Sequence, residues 1–338
     1  MSGPLRIGVL GAARITERAL VDPAAITGDR LVAVAARDLG RAERFAAEHG
    51  VERVLDDYAA VVADDEVDVV YNPLANGLHG RWNLAAIAAG KHVLSEKPFA
   101  SNAAEARRVR DAAVATGVTV VEAFHYVHHP VMRRMLALVA DGELGEPRHV
   151  EAYFTMPSPP PGDPRWSLAL GGGALMDLGC YGLHAHRALA PWAGGEPGVV
   201  AARGGERAAT PGVDEWMEAD LAFPGGATGF VRCSMNGEWR VTLRVVGTGG
   251  EATAANFALP QRDDRVFVNT PAGRRTEHLG TRTSYTYQLE ALGAHLRNGT
   301  PFEPDLADAV ANAELIDATY LAAGMPLRGS MEDTCVSD

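Results

Sequence analysis

The first third of the chain repeats one rhythm: a short β-branched apolar run, then an Ala-rich stretch with polar residues at helical spacing. The runs are "LRIGVLG", "RLVAVAAR", "VDVVYNPL", "KHVLSEKP" and "VTVVEAF". Between them lie "GRAERFAAEHG", "LHGRWNLAAIAAG" and "SNAAEARRVRDAAVATG", the last with Ser101 and Asn102 as N-cap candidates. Near-continuous apolar strands separated by helices predict a parallel sheet covered on both faces, an α/β doubly wound domain over residues 1–122.

From residue 123 the rhythm changes. "HHPVMRRMLALVADGELG" predicts a helix, "PRHVEAYFTM" a strand, "PSPPPGDPRW" a Pro-rich loop and "GGGALMDLGCYGLHAHRAL" a helix opened by glycines. The runs "EWMEADLAF", "ATGFVRCSM", "VTLRVVGT" and "DRVFVNT" follow as strands between Gly-rich turns, then two more helical patterns, "SYTYQLEALGAHLRNG" and "PDLADAVANAELIDATYLAAG". Strands in succession without helices between them predict a C-terminal α+β domain over 123–338, built on an open, mainly antiparallel sheet. The last polar residues read as a frayed end.

Composition refines this only at the margins. The 338 residues accommodate two domains, and the net charge of -12 argues against a broad nucleic-acid surface while allowing a local basic pocket for an anionic ligand. The opening "MSGPLRIGVLG" lacks a basic-then-apolar leader and no run of about 18 apolar residues occurs, so a cytoplasmic protein without membrane association is expected. Cys180, Cys233 and Cys335 are far apart and odd in number, which supports neither a disulfide framework nor a zinc site. No metal is expected from the histidines either; His128 and His129 beside Pro130 read as a turn.

Candidate chemistry collects at the strand ends, because open parallel sheets bind ligands beyond the carboxyl ends of their strands. The turn "GAARIT" keeps only Gly11 of a G-x-G-x-x-G pattern, with Ala13, Arg14 and Ile15 leading into a helix whose free N–H groups could meet a pyrophosphate; a tight structural turn is the other reading. In "AARD" the ribose-binding carboxylate of an NAD site is missing, and Arg37 could instead hold a 2′-phosphate, or pair with Asp38 on the surface. Pro73, Leu74, Asn76 and His79 follow the third run as ordinary turn chemistry. Glu96 and Lys97 before Pro98, with Glu122, bring two carboxylates and an ammonium to one sheet edge, either as a crevice or as a structural ion pair. In the second domain Asp177, Tyr181 and His184 stand at i, i+4 and i+7 and share one helical face, with Gly171 to Gly173 allowing close backbone approach at the helix start. The competing reading makes Tyr181 an amphipathic core residue and His184 a surface histidine; His186, off that face, reads as exposed. Arg165 and Trp166 could reach a cleft or anchor their loop.

Taken in order, "GVLGAARI", "AARD", "GLHGRWNLAAIAAGKHVLSEKPFA", "EAFHYVHHP" and "GGGALMDLGCYGLH" resemble the glucose-fructose oxidoreductase, inositol dehydrogenase and rhizopine-catabolism superfamily. The resemblance covers nearly the whole chain and implies a Rossmann domain that binds NADP(H), or NAD(H), and a second domain that binds substrate. It places Lys97 near nicotinamide and substrate, often before a cis proline, and Asp177, Tyr181 and His184 in the second motif. The cofactor set it implies comprises Gly11, Ala13, Arg14, Ile15, Arg37, Pro73, Leu74, Asn76, His79, Glu96, Lys97, Glu122, Arg165 and Trp166. Tyr181 would protonate a forming alkoxide, its phenol lowered from about 10 by Lys97, while Asp177 and His184 orient hydroxyls or relay protons. The dihydrodiol dehydrogenase and keto-sugar reductase branches are most similar, implying a sugar-like or cyclic carbonyl/polyol substrate and a homodimer or homotetramer through the C-terminal sheet. Two alternatives in the same superfamily are an NAD-dependent glycosidase and a non-catalytic NADP-responsive regulator. Against the superfamily pattern the Gly motif is reduced, Ala36 replaces a common Ser, and "NPLANGLH" is less Pro-rich than usual.

Overall fold

A computed structural model describes residues 3–329. The closing residues 330–338, including Cys335, lie outside the described residues. The chain divides into two units, one built on residues up to His125 and on Tyr285–Val310, the other on Tyr126–Ser284 and Ala311–Arg328. This differs from the division expected at residue 122: the boundary follows His125, and most of the helix Ser284–Asn298 packs with the first unit. Side chains explain the second difference, since the Tyr285 ring packs tilted against His125 with centroids 3.8 Å apart and His295 Nε2 lies 3.3 Å from Thr119 Oγ1.

The first unit is a five-stranded parallel sheet of β1 (Arg6–Leu10), β2 (Arg30–Ala35), β3 (Val69–Asn72), β4 (His92–Ser95) and β5 (Val120–Glu122), in the order β2-β1-β3-β4-β5. All five expected strands are present, nearly wholly buried, and the helices Leu39–His49, His79–Ala88 and Ala103–Thr116 fall where the helical patterns lie. Asn102 is the cap of the third helix, its Oδ1 accepting from Glu105 N at 3.0 Å. The strand order reverses direction between β1 and β3, and a crevice opens at such a switch point beyond the carboxyl ends. Register then aligns Asn72 with Ser95 and Ser95 with Glu122, so polar residues form a row along that edge.

The second unit carries an eight-stranded sheet: β6 (Pro147–Thr155), β7 (Gly198–Glu206), β8 (Asp214–Ala222), β9 (Thr228–Ser234), β10 (Arg240–Gly247), β11 (Glu251–Ala254), β12 (Arg265–Thr270) and β13 (Gly273–His278). Its order is β13-β12-β11-β10-β6-β9-β8-β7, antiparallel except where β6 runs parallel to β9. Strands β7, β11 and β13 are absent from the sequence-based expectation. The edge strands β7 and β13 take their order from ladder bonds to one neighbour, and their Gly- and Arg-rich sequences, largely exposed, show no buried face to read.

The helix opened by glycines starts with a π-helical turn, Leu175–Gly179, and continues as an α-helix, Cys180–Arg187. Every residue of both segments is buried, packed on β6 and β9. His186 is therefore a correction to the expectation of exposure. It is wholly buried, with Nδ1 2.7 Å from Gly182 O and Nε2 3.0 Å from Val150 O, because a helix covered on all sides has no solvent face for it.

Candidate active site

In the first unit the turn after β1 has Gly11 at φ 89, a conformation that side chains avoid, with Gly11 N donating to Ala35 O at 2.7 Å. Helix follows from Arg14 through a π-helical turn to Thr27. Ala13 stands at its N-cap and no side chain caps it, whereas Asp38, Asp57 and Asn102 each cap the helix they precede. This helix start therefore has no side-chain cap, the property of a helix N-terminus that can receive an anion. Ala13 and Ile15 are partly exposed and Arg14 exposed around this turn. Arg37 is exposed at the end of β2, and it makes no ion pair with Asp38 among the described residues; Asp38 accepts from Arg41 N at 2.9 Å as a helix cap. Arg41, missed in the sequence, donates from Nη2 to Ala12 O at 2.8 Å, so two arginines flank this turn.

The β3–β4 edge is a buried polar network. Asn72 Nδ2 donates to Asn83 Oδ1 at 2.8 Å and to His79 O at 3.2 Å; Asn83 Nδ2 donates to Ser95 Oγ at 2.9 Å. His79 bridges the two loops, Nδ1 lying 2.7 Å from Pro98 O and Nε2 2.9 Å from Leu74 O. A neutral imidazole donates to only one of these carbonyls, and two acceptors favour the cation, but burial outweighs them and holds His79 at about 4. Pro73 is buried, Leu74 and Asn76 half-buried, and Leu74 packs beside Gly11. The Lys97–Pro98 peptide is cis, and Lys97 is half-buried. Glu96 accepts from Tyr71 Oη at 2.9 Å, and burial raises its pKa against the opposing pull of the Lys97 charge. Glu122 Oε1 accepts from Phe99 N at 2.8 Å, which ties β5 to the turn. Of the sequence-based candidates, Glu96, Lys97, Glu122, Pro73, Leu74 and His79 are thus gathered at one edge. Asn72, Asn83 and Ser95 had no signal beyond ordinary turn and helix composition.

In the second unit Arg165 Nε donates to Asp177 Oδ2 at 2.6 Å, with Nη1 3.3 Å from Asp163 Oδ1. Asp177 foremost, then Asp163, hold Arg165 as a firmly retained cation. Trp166 is 3 % exposed, its indole N–H bonded to Pro159 O at 3.1 Å and its ring under the Arg207 guanidinium at 4.3 Å. These contacts fasten Trp166 to the Pro-rich loop. Tyr181 and His184 are both buried and meet around Tyr126: the Tyr126 and Tyr181 ring centroids lie 5.7 Å apart, and Tyr126 Oη is 2.6 Å from His184 Nδ1. His129 caps the helix Pro130–Ala140 through Nδ1, and burial holds His128 at about 4.

A buried brace holds the start of the Asp177 segment. Gly173 adopts φ 134, where a Cβ would overlap the Asp214 carboxylate. Asp214 Oδ2 accepts from Leu175 N at 2.6 Å and Oδ1 from Tyr320 Oη at 2.9 Å, and Arg328 binds both Asp214 and Gly172 O. Asp214 and Arg328 are separated by 114 residues, which is why the sequence did not pair them.

Comparison with known proteins agrees with this architecture. Residues 5–124 match the model of an oxidoreductase family with an NAD-binding Rossmann fold, and residues 132–253 match the GFO/IDH/MocA C-terminal domain. A D-xylose 1-dehydrogenase (NADP(+)) of Haloferax volcanii is 34 % identical over 322 residues, 94 % of this chain and 97 % of that one. A trans-1,2-dihydrobenzene-1,2-diol dehydrogenase of Oryctolagus cuniculus is 30 % identical, over 88 % of this chain and 91 % of the other. Among solved structures, the 3-ketoreductase KijD10 of Actinomadura kijaniata, in complex with NADP and TDP-benzene, superposes with a TM-score of 0.87 at 29 % identity, covering 95 % of this chain and 98 % of that one. The chain belongs to the GFO/IDH/MocA oxidoreductase family. It is an NAD(P)-dependent oxidoreductase of the dehydrogenase and reductase type. No helix among the described residues is long and apolar enough to cross a membrane.

Proposed function

We propose that the protein reduces a carbonyl of a sugar-like or cyclic substrate, or oxidises the corresponding vicinal polyol, with NADP(H) as the preferred cofactor. The observation that carries this reading is the Lys97 turn, held beside the switch point of the parallel sheet by the Asn72–Asn83–Ser95–His79 network. The dinucleotide would lie against the uncapped helix start after Gly11, with Arg37, and Arg41 behind it, facing a 2′-phosphate. When bound, the nicotinamide supplies or accepts the hydride. Lys97 is the residue assigned to stabilising negative charge that develops on substrate, and Tyr181 the residue assigned to donating a phenolic proton. Asp177, oriented by Arg165, and His184 orient substrate hydroxyls.

Relatives named for D-xylose, a dTDP-linked keto-sugar and a dihydrodiol support the substrate class. Self-association through the eight-stranded sheet belongs to the same proposal, supported by exposed Val200 and Phe267 on its strands β7 and β12. The test is fluorescence titration with NADPH and NADH, followed by a ketone and diol screen. Tighter NADPH binding that Arg37→Ala abolishes, with turnover lost in Tyr181→Phe, is the expected result. Equal affinity for both nucleotides removes the NADP preference, and undiminished kcat in Tyr181→Phe removes the proton-donor assignment.

A further inference from the structure

Tyr126 lies in the short turn His125–His128 and is fully buried. Its hydroxyl is 2.6 Å from His184 Nδ1. The ring meets His184 edge-on with centroids 5.7 Å apart, and Phe257 closes another side at 5.5 Å, so close packing leaves the hydroxyl little freedom to swing away. Tyr181, at 5.7 Å between centroids, touches the same ring. His184 lies three residues beyond Tyr181 on one helix, which makes the two neighbours on its surface.

A hydroxyl this near an imidazole nitrogen shares one proton with it. Either the phenol O–H donates to Nδ1 or an Nδ1–H donates to the phenol oxygen, and in the first arrangement Nδ1 is the acceptor. A neutral imidazole accepting at Nδ1 carries its hydrogen on Nε2. A phenylalanine would fill the same space without bringing a buried hydroxyl that must find a partner. What the hydroxyl adds is therefore control of the histidine.

We propose that Tyr126 is a positioning residue that holds His184 in the Nε2–H tautomer, so that Nε2–H is the hydrogen-bond donor His184 offers beside Tyr181. The catalytic part rests on the reading of Tyr181 and His184 given above; the tautomer part does not. The test is ¹⁵N NMR of protein labelled at histidine, together with steady-state carbonyl reduction, for the wild type, Tyr126→Phe, His184→Asn and the double variant. In the wild type His184 should show a protonated Nε2 and an unprotonated, hydrogen-bonded Nδ1. Tyr126→Phe should shift this pattern toward a mixture and lower kcat about tenfold or more, with KM and NADPH affinity changed by no more than about twofold. The double variant should be no slower than His184→Asn alone, since the hydroxyl acts through the ring. A proton on Nδ1 in the wild type, an unchanged tautomer in Tyr126→Phe, or a changed tautomer with wild-type kcat each overturns the proposal. If the wild type reduces no carbonyl compound, the functional reading falls, and the NMR spectra still decide for or against the tautomer lock.

Discussion

The edge after β4 and the start of the Asp177 segment hold their polar groups by opposite means. At the first, His79, Asn72, Asn83 and Ser95 are bound to backbone carbonyls and to one another as neutral groups, and burial pushes Glu96 toward its protonated form. At the second, carboxylates are matched with arginines: Asp177 with Arg165, and Asp214 with Arg328 at 0 % exposure on both sides, where burial raises the Asp214 carboxyl as it does Glu96 and the Arg328 charge opposes it. The difference teaches where each region is fragile. A neutral network loses one bond when one member changes, whereas a buried ion pair broken on one side leaves a charge with nothing to solvate it.

Arg328→Met should have the largest effect, destabilising the second unit by about 3–5 kcal/mol in a denaturant titration. Asp214→Asn combined with Arg328→Met should recover part of that loss, because no charge is then stranded. A single variant that unfolds like the wild type would put the brace in doubt. Lys97→Met should lower kcat about 10²–10³-fold, the usual cost of removing one preorganised oxyanion partner, while NADPH affinity stays nearly constant; stopped-flow kinetics separates the two.

His79 sharpens the contrast through pH. Its folded value of about 4 lies below the ordinary 6.5, so between these pH values the unfolded state binds the extra proton and stability falls as pH falls. The loss from this residue should approach about 3 kcal/mol once pH reaches its folded value. His79→Gln should flatten the first unit's unfolding midpoint between pH 7 and 4.5, and an unchanged slope there would show that His79 is not the group responsible. His128, also held at about 4, leaves its own share of pH dependence in the second unit. The smallest effect is expected for Glu96→Gln, which keeps an acceptor for Tyr71; a cost above about 1 kcal/mol would mean that Glu96 works as a charge after all.

Much of this was legible along the chain. Apolar runs bounded by Gly and Pro marked all five parallel strands, and the ends of those runs marked Gly11, Arg37, Glu96, Lys97 and Glu122 as the residues to examine. Asp177, Tyr181 and His184 were visible as a spaced set, but the spacing assumed a regular α-helix. The π-helical turn over Leu175–Gly179 breaks that period, and the structure gives Asp177 to Arg165 while Tyr181 and His184 share Tyr126. His186 was misread because amphipathic reasoning presumes a solvent face, which this helix lacks.

Local chain chemistry therefore determined the elements and the residues at their ends, because strand alternation, helix periodicity and turn residues act over a few positions. Partnership was decided only in three dimensions. Asp214 and Arg328, Tyr126 and His184, and His79 with its two carbonyls are far apart in sequence or carry no pattern of their own. They come together because the folded interior offers a buried polar group few partners, and leaves it no water to take their place.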